Sequence, residues 1–255
     1  MIGEDRALWR RAPEVLNLVA TQTLHVLFPP RCIGCGAPVG TDFGLCGECW
    51  RETGFITGLA CDCCGAPLPG EDDSAICDEC LHTPRPWKRG RAAIRYAGTG
   101  RKLVLAFKHG DRLDLARPLG EWLARAVAPI IEEGMVVAPV PLHRLRLLKR
   151  RYNQSALLAR QIGRSARIPH IPDLFERIRA TPSQEGKDRE ERFANLSGAL
   201  RVNPRRVPEI LGRPVLIVDD VLTSGATLAA ATEAALAAGA SHVHVAALAR
   251  VSRDV

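Results

Sequence analysis

The sequence predicts an α/β protein in which a mainly parallel sheet is flanked by helices and is preceded by a small cysteine-rich module. After residue 90, apolar runs of strand length alternate with helical patterns, as is typical of parallel sheets. All nine cysteines lie between Cys32 and Cys80. A chain of 255 residues has room for one large domain and one small one.

Residues 1–28 form the first predicted element, a short amphipathic helix. Its stretch LWRRAPEVLNLVATQTLHVLF could be mistaken for a signal sequence, but four polar residues interrupt the apolar core and no clear cleavage site follows. These residues are Glu14, Asn17, Gln22 and His25. The chain also lacks an apolar run of the ~18 residues that a membrane span needs. We therefore expect a cytoplasmic protein without a transmembrane segment.

Residues 29–82 form the predicted cysteine module, which contains an internal repeat. CIGCGAP at 32–38 recurs as CDCCGAP at 61–67, and CGEC at 46–49 recurs as CDEC at 77–80. Each CxxC pair suits a knuckle that directs two thiolates at one ion, and two knuckles complete a tetrahedral four-sulfur zinc site. The two predicted zinc sites are Cys32, Cys35, Cys46 and Cys49, and Cys61, Cys64, Cys77 and Cys80.

A disulfide framework is the alternative for these cysteines, but CxxC pairs without a secretion signal fit the metal pattern better. A closed four-thiolate shell has no open position for substrate water, so we expect both zinc ions to be structural. Cys63 aligns with Gly34 in the repeat and is assigned no metal.

Residues 83–90 are predicted to be a linker because they contain two prolines and a glycine among basic residues, and the large domain follows at 91–255. Its strands are predicted at 91–97, 135–141, 215–218 and 242–248. Its helices are predicted at 102–110, 115–131, 154–166 and 227–239, the last of them closed by Gly239. Lys108 and His109 are expected on a helix surface rather than in a cleft.

The stretch VLIVDDVLTSGAT at 215–227 carries the strongest functional signal of this domain. Ligands of parallel sheets bind beyond the carboxyl ends of the strands, and phosphates favour the amino end of the following helix. The phosphate-binding residues predicted here are Thr223, Ser224, Gly225, Ala226 and Thr227. The carboxylates of Asp219 and Asp220 can accept from the hydroxyls of a ribose 5-phosphate, and these two residues are the candidates for a catalytic role.

Three other kinds of site share parts of this pattern. In a receiver domain paired aspartates precede more than a hundred residues, whereas 35 residues follow Asp220 here. A Walker B strand requires a GxxxxGK[ST] loop, which the sequence lacks. A turn with helix-capping Asp and Thr residues is the remaining alternative.

The same stretch resembles the phosphoribosyl pyrophosphate (PRPP) motif of type I phosphoribosyltransferases. Three further segments are similar to the ComF family, which joins a double zinc ribbon to such a domain. They are LFPPRCIGCG at 27–36, VAPVPLHRLRLLKRRYNQS at 137–155 and RATPSQEGKDREERFANLSGAL at 179–200. The resemblance implies a type I phosphoribosyltransferase-like sheet.

The resemblance also implies two further groups of site residues. A pyrophosphate loop is implied at Lys149, Arg150, Arg151 and Asn153. A loop that closes over PRPP is implied at Thr181, Gln184, Arg189, Arg192 and Asn195. By itself the basic run at 144–151 is equally compatible with a solvated helix face or a nucleic-acid patch. The 179–200 segment has an ordinary surface loop as its alternative.

Two functions of different classes follow from the resemblance. One is the handling of incoming single-stranded DNA in natural transformation, together with other competence proteins, and the net charge of +7 favours anionic partners. The other is an active phosphoribosyltransferase of nucleotide metabolism, in which Mg²⁺ accompanies PRPP. No acceptor pocket is evident in the sequence, so PRPP or ribose phosphate binding is the better supported expectation.

Overall fold

The computed structural model describes residues 28–70, 75–109, 112–142, 152–179 and 198–251. The chain folds as two compact units, Met1–Arg51 and Glu52–Val255, so the predicted cysteine module spans both. Apart from its last residue, the helix predicted at 1–28 lies outside the described residues. Within the described part of the chain, no helix has the length and apolar character to cross a membrane.

The internal repeat of the sequence is also a repeat of backbone structure. In the first unit Cys32 N–H donates to Ala37 (2.7 Å), and in the second Cys61 N–H donates to Ala66 (2.8 Å). The glycines after the two knuckles, Gly36 and Gly65, both adopt positive φ, at 81° and 69°. The last two cysteines of each group lie at or beside a short helix, α1 (Gly47–Thr53) in the first and α2 (Asp78–His82) in the second.

The larger unit contains a four-stranded parallel sheet, which confirms the predicted α/β class. The strands are β1 (Arg89–Arg95), β2 (Val136–Pro139), β5 (Pro214–Leu222) and β6 (His242–Arg250), in the order β1-β6-β5-β2. The two inner strands are buried along most of their length, as expected where helices cover the faces of a parallel sheet.

The helices of this unit are α3 (Gly98–His109), α4 (Ala116–Val127), α5 (Gln154–Ala166), the short α6 (Val207–Ile210) and α7 (Ala226–Ala237). The four predicted helices are present, with ends that differ from the predicted ones by up to four residues, and the short α6 was not predicted. The bounds of α5 are those predicted. Pro118 lies in the first turn of α4, where a helix needs no N–H donor, and so it does not interrupt the helix.

A small antiparallel pair, which the sequence did not predict, lies beside α7. It consists of β3 (Phe175–Arg177) and β4 (Leu200–Val202). The pairing continues for one more bond, since Ile178 N–H donates to Ala199 at 3.0 Å. The pair therefore holds together the described residues on either side of the segment 180–197.

The predicted linker at 83–90 is packed in the structure. Trp87 is buried, and its indole N–H donates to the carbonyl of Cys63 at 2.6 Å. Strand β1 already begins at Arg89. Gly90 lies so close to Cys63 that an added Cβ would be 2.3 Å from its carbonyl oxygen. The second cysteine group is therefore fixed directly on the sheet, which the composition of this segment did not reveal.

The two repeat glycines provide a matched test of this packing. At Gly65 an added Cβ would lie 2.5 Å from the backbone nitrogen of Ala92, whereas at Gly36 nothing lies within 4 Å. Both alanine variants carry the left-handed strain of about 1–2 kcal/mol. Gly65→Ala adds overpacking of about 1–3 kcal/mol, and we expect faster amide hydrogen exchange in β1 for this variant alone. Equal exchange in the Gly36→Ala and Gly65→Ala proteins would contradict the packing.

Candidate functional site

The acid pair, Asp219 and Asp220, lies within β5 near its carboxyl end rather than in the loop beyond it. The Asp219 Oδ1 accepts two hydrogen bonds, from the Asp220 backbone N–H (2.8 Å) and from the Ser155 hydroxyl (3.1 Å). The Asp220 Oδ1 forms an ion pair with the Lys108 ammonium at 3.0 Å. One cation thus faces two adjacent carboxylates.

The two carboxylates are electrostatically unequal. Burial, together with the neighbouring charge of Asp220, raises the pKa of Asp219 to about 7. Lys108 and the hydroxyl of Ser155 act in the opposite direction without cancelling the effect. Near neutral pH the pair therefore carries less than two full negative charges until a ligand supplies more positive charge or more donors.

Lys108 belongs to this site, so the expectation that it lies on a helix surface is wrong. Its side chain is 19% exposed and points to Asp220. The end of α3 is held by the segment before α5: the Tyr152 hydroxyl donates to the carbonyl of Phe107 (2.8 Å), and the Gln154 amide donates to the carbonyl of Lys108 (3.2 Å). For the neighbouring His109, which is exposed, the surface prediction is confirmed.

Asn153 caps α5 in the structure. Its side-chain oxygen accepts from the Ser155 N–H at 3.0 Å, and its amide donates to the carbonyl of Val140 at 2.9 Å. Through these two bonds Asn153 positions Ser155 next to Asp219. The other members of the predicted pyrophosphate loop, Lys149, Arg150 and Arg151, lie outside the described residues.

The predicted phosphate loop, residues 223–227, connects β5 to α7. Gly225 caps the helix at φ 83°, and Ala226 is its first residue. Thr223 is exposed, whereas Ser224 and Thr227 are half-buried. The first backbone N–H groups of a helix have no intrahelical acceptor and carry the positive end of its dipole. The Ser224 hydroxyl accepts weakly from one of them, that of Ala226, at 3.4 Å.

Two buried arginines hold the carbonyl groups of this loop. Arg250 donates to the carbonyls of Leu222 (3.3 Å) and Thr223 (3.2 Å), and Arg85 donates to that of Ser224 (2.5 Å). In a planar trans peptide the carbonyl and the following N–H point in opposite directions. The N–H groups of residues 223–225 are therefore directed away from the arginines, as in a backbone anion site.

Glu79 joins the two arginines to the second cysteine group. Its two carboxylate oxygens accept from Arg85 at 2.8 Å and from Arg250 at 2.6 Å. Burial by itself would lower the pKa of Arg250, but the adjacent Cys64 and Glu79 raise it overall. Glu79 lies on α2 between Cys77 and Cys80, so the cysteine group, the arginines and the phosphate loop form one connected network.

The predicted closing loop lies outside the described residues, but one of its flanks is in place. The residues concerned are Thr181, Gln184, Arg189, Arg192 and Asn195. Ala199, directly before β4, is buried against Ala226 at the start of α7. The described chain after residue 197 thus lies next to the phosphate loop.

Both four-cysteine groups have the geometry of tetrahedral sulfur sites. Within each group the sulfur atoms all lie within 4.8 Å of one another. The sulfurs of Cys35 and Cys46, and those of Cys64 and Cys77, are 3.7 Å apart. This matches the ~3.8 Å edge of a tetrahedron with Zn–S bonds of about 2.3 Å.

Backbone N–H groups donate to the sulfurs, as expected of knuckles. Cys46 N–H lies 3.3 Å from the sulfur of Cys32, and Cys77 N–H lies 3.3 Å from that of Cys61. Although burial alone would raise it, the pKa of Cys32 is lowered to about 6, mainly by the N–H of Cys46. The residues present therefore fit two zinc ions.

Sequence reasoning missed several residues of the site. Arg85 was assigned to a linker, and Arg250 to no element at all, because a pattern of residue types does not show which distant carbonyls a guanidinium meets. The sequence does contain a signal for Ser155, which is its position in the first turn of a helix directly after the basic run. The unused signal for Arg250 was a charge at the end of a buried strand, the same signal that identified Asp219.

Comparison with known proteins gives two domain matches. Residues 23–81 match the double zinc ribbon domain, and residues 123–254 match the phosphoribosyl transferase domain. These matches agree with the cysteine groups and with the parallel sheet.

Three curated relatives span much of the chain. The DNA utilization protein YhgH of Escherichia coli K12 is 32% identical over 85% of this chain and 95% of its own length. Competence protein F of Haemophilus influenzae is 29% identical over 86% of this chain and 96% of its own length. Competence protein ComFC of Bacillus subtilis is 24% identical over 73% of this chain and 75% of its own length. The chain therefore belongs to the ComF family, in which a double zinc ribbon precedes a phosphoribosyltransferase domain.

Proposed function

We propose that the chain binds PRPP or a ribose 5-phosphate group at the carboxyl end of β5 and handles incoming single-stranded DNA during natural transformation. The observation that carries the proposal is the placement of the acid pair next to a loop whose carbonyls are held by Arg85 and Arg250. Such a site offers acceptors and anion-binding donors side by side, as a sugar phosphate requires.

In the proposed complex the 5-phosphate lies against the N–H groups of residues 223–227, and the hydroxyls of Thr223 and Thr227 add further donors. The ribose hydroxyls donate to Asp219 and Asp220. Lys108 then balances the remaining negative charge, because it already pairs with Asp220. The carboxylates act by positioning the sugar, which holds its anomeric carbon at a fixed place in the cleft.

The elements on either side of the basic segment support a location for the pyrophosphate next to the acid pair. The basic segment 143–151 connects β2 to α5, and each of these elements reaches the site: Pro139 pairs with Val218 on β5, and Ser155 contacts Asp219. A pyrophosphate loop at Lys149, Arg150, Arg151 and Asn153 stays a prediction, as does closure by the segment 180–197. So does a cytoplasmic location.

Mg²⁺ is proposed as the partner of PRPP. Carboxylate and phosphate oxygens are the ligands that Mg²⁺ prefers, and Asp219 and Asp220 are suitably placed oxygen donors. The ion would supply positive charge to the pyrophosphate. Since Lys108 already neutralises Asp220, the chief protein ligand of the ion would be Asp219.

The DNA part of the proposal rests on the relatives and on charge. Their names assign them to DNA utilization and competence, and the net charge of this chain is +7. A single strand offers phosphates and pentoses, the same chemistry that the site is proposed to bind. With 5% aromatic residues, phosphate contacts are expected to contribute more than base stacking.

An active phosphoribosyltransferase is the second candidate, supported by the domain match at 123–254. In that reaction an acceptor nucleophile bonds to the anomeric carbon while the bond to pyrophosphate breaks, and the electron pair leaves with pyrophosphate. Release of pyrophosphate from PRPP in the presence of a panel of nucleobases would favour this candidate over binding alone.

The sugar phosphate site is tested by Asp219→Asn and Asp220→Asn. Each change replaces a charged acceptor with a neutral one of the same shape, so we expect PRPP affinity with Mg²⁺ to fall about 10- to 100-fold by calorimetry. Glu233→Gln, an exposed charge on α7, is the control and should bind normally. Full PRPP affinity in both aspartate variants would show that the site is misassigned.

The pH dependence gives an independent check. Asp219 has a folded pKa of about 7, above its ordinary value of 3.8, so it favours folding at low pH and loses this contribution as pH rises through 7. Donors from the ligand favour the ionised form, and binding should therefore release a proton near pH 6–7. Calorimetry in buffers of different ionisation enthalpy measures this release, which Asp219→Asn should abolish. Equal release from wild type and variant would contradict the assignment.

Single-stranded DNA binding should weaken steeply with salt. In a plot of log affinity against log salt concentration, each phosphate contact with a single strand contributes about −0.7 to the slope. We expect Arg150→Ala/Arg151→Ala to reduce the slope by about 1.4 in fluorescence anisotropy. The control Arg101→Ala/Lys102→Ala removes the same charge from exposed positions of α3. If Arg150→Ala/Arg151→Ala keeps the wild-type slope, the basic segment is not part of the DNA-binding surface.

The zinc sites are predicted to differ in their effect on the ligand. Metal analysis should find two strongly bound zinc ions per chain, one for each cysteine group. Cys64→Ser should lose one ion and also weaken PRPP binding, because Arg250 and Glu79 connect this group to the phosphate loop. Cys35→Ser, in the first group, should lose one ion and bind PRPP normally. Equal PRPP affinity in the two variants would show that the network does not shape the loop.

A further inference from the structure

A third cluster of metal-ligating side chains lies apart from the cysteines and from the acid pair. Glu132, His242 and His244 each offer one ligand atom, and these atoms lie within 4.8 Å of one another. His242 and His244 are two residues apart on β6 and so project from the same face of the strand. Glu132 follows the 3-10 turn Ala128–Ile130 at the end of α4.

The buried histidine of this cluster has one ring nitrogen bound and one free. His244 is fully buried, and its Nδ1 lies 2.9 Å from the carbonyl oxygen of Ile130. A carbonyl can only accept, so Nδ1 carries the proton and, in the neutral ring, Nε2 presents a lone pair. Nε2 has no hydrogen-bond partner in the described part of the chain.

This free nitrogen faces another acceptor. The His244 Nε2 lies 3.4 Å from the Glu132 Oε1, and the other carboxylate oxygen lies 2.7 Å from the His242 Nε2. Two electron-rich atoms in such proximity repel one another unless a proton or a metal ion lies between them. The separation of 3.4 Å is also close to the ~3.3 Å edge of a tetrahedron with metal–ligand bonds of about 2.0–2.1 Å.

The outer hydrogen bonds are those of metal-binding histidines. Such a histidine usually donates its second N–H to a carbonyl or hydroxyl oxygen, which fixes the tautomer and the ring orientation. His244 does so through Ile130, and the Nδ1 of His242 lies 3.2 Å from the Ser241 hydroxyl. The His242 Nε2 is within hydrogen-bond distance of Glu132, so a metal ion would replace the proton on this nitrogen, and Nδ1–H would then donate to Ser241.

We propose that Glu132, His242 and His244 bind a divalent transition-metal ion of the zinc class, with a fourth position open to water or a small anion. Two imidazoles and one carboxylate suit such an ion, and three protein ligands leave one tetrahedral position free. Side chains that are 36% exposed at Glu132 and 29% exposed at His242 give the ion a route from solvent.

The site is distinct from the sugar phosphate site. His244 pairs in register with Leu216 on β5, three residues before Asp219 along that strand. Three residues span about 10 Å at ~3.3 Å per residue, and His242 lies further away still. The third site is therefore at the amino end of the inner strands, whereas the acid pair is near the carboxyl end.

One nearby charge opposes a cation and provides a useful variant. Lys88, exposed and directly before β1, acts on both Glu132 and His244. Replacing this ammonium with a neutral amide should tighten metal binding, which a purely structural Glu–His contact would not predict.

Cobalt titration tests the proposal. The full chain, with its cysteine groups loaded with zinc, is washed with a weak chelator and titrated with Co²⁺ alone. We expect one further Co²⁺ per chain, with visible ligand-field absorption and no sulfur-to-cobalt charge-transfer band. His242→Gln and Glu132→Gln should weaken this binding by more than about tenfold. The control His109→Gln, at an exposed histidine of α3, should match wild type, and Lys88→Gln should bind more tightly.

The outcomes separate the proposal from its alternatives. His244→Gln can fail to fold because the ring is buried, so the half-exposed His242 carries the test. Zinc added to the folded protein should also raise the melting temperature of wild type but not that of His242→Gln. The proposal is overturned if no further Co²⁺ binds, or if a charge-transfer band shows that the cysteines bind it. It is also overturned if His242→Gln binds Co²⁺ as tightly as wild type.

Discussion

The interaction on which the site depends is the burial of the Arg250 guanidinium between the second cysteine group and the end of β5. A buried charge destabilises a fold unless it is paired and hydrogen-bonded. Arg250 meets this condition with Glu79 on one side and the carbonyls of Leu222 and Thr223 on the other. Because the charge must keep these partners, the cysteine group cannot move without moving the phosphate loop.

This constraint connects the second cysteine group to the loop that we propose as the phosphate site. A loop with a glycine at positive φ has many conformations available to it, and only some of them direct consecutive N–H groups outward. Arg85 and Arg250 select such a conformation by holding three consecutive carbonyls. The ribbon keeps the arginines in position through Glu79. The second cysteine group is therefore connected to the proposed binding site, whereas its sequence pattern indicates only a structural metal.

The sequence predicted what depends on periodicity and short spacing. Helix α5 and the cysteine repeat were predicted closely, since apolar period and CxxC spacing are local properties. The pair β3–β4 was missed because three-residue strands leave no pattern, and Lys108 was misplaced because a helix register does not show which neighbour a side chain meets. The acid pair was found, but the partners that orient it come from α3 and α5, which lie far away in sequence.

The balance of charge in the acid pair leaves room for the donors and the cation of the proposed ligand. Lys108 contributes one positive charge to two carboxylates, and the remaining charge is partly offset by a proton on Asp219. The two hydrogen bonds that Asp219 accepts orient it without neutralising it. A sugar brings hydroxyl donors, and a cation bound with its phosphates brings charge, so either one allows the proton to leave. The arginines hold the loop through its carbonyls, whereas the acid pair has one cation for two carboxylates. In the proposed site the arginine network is therefore the scaffold, and the acids are the binding groups.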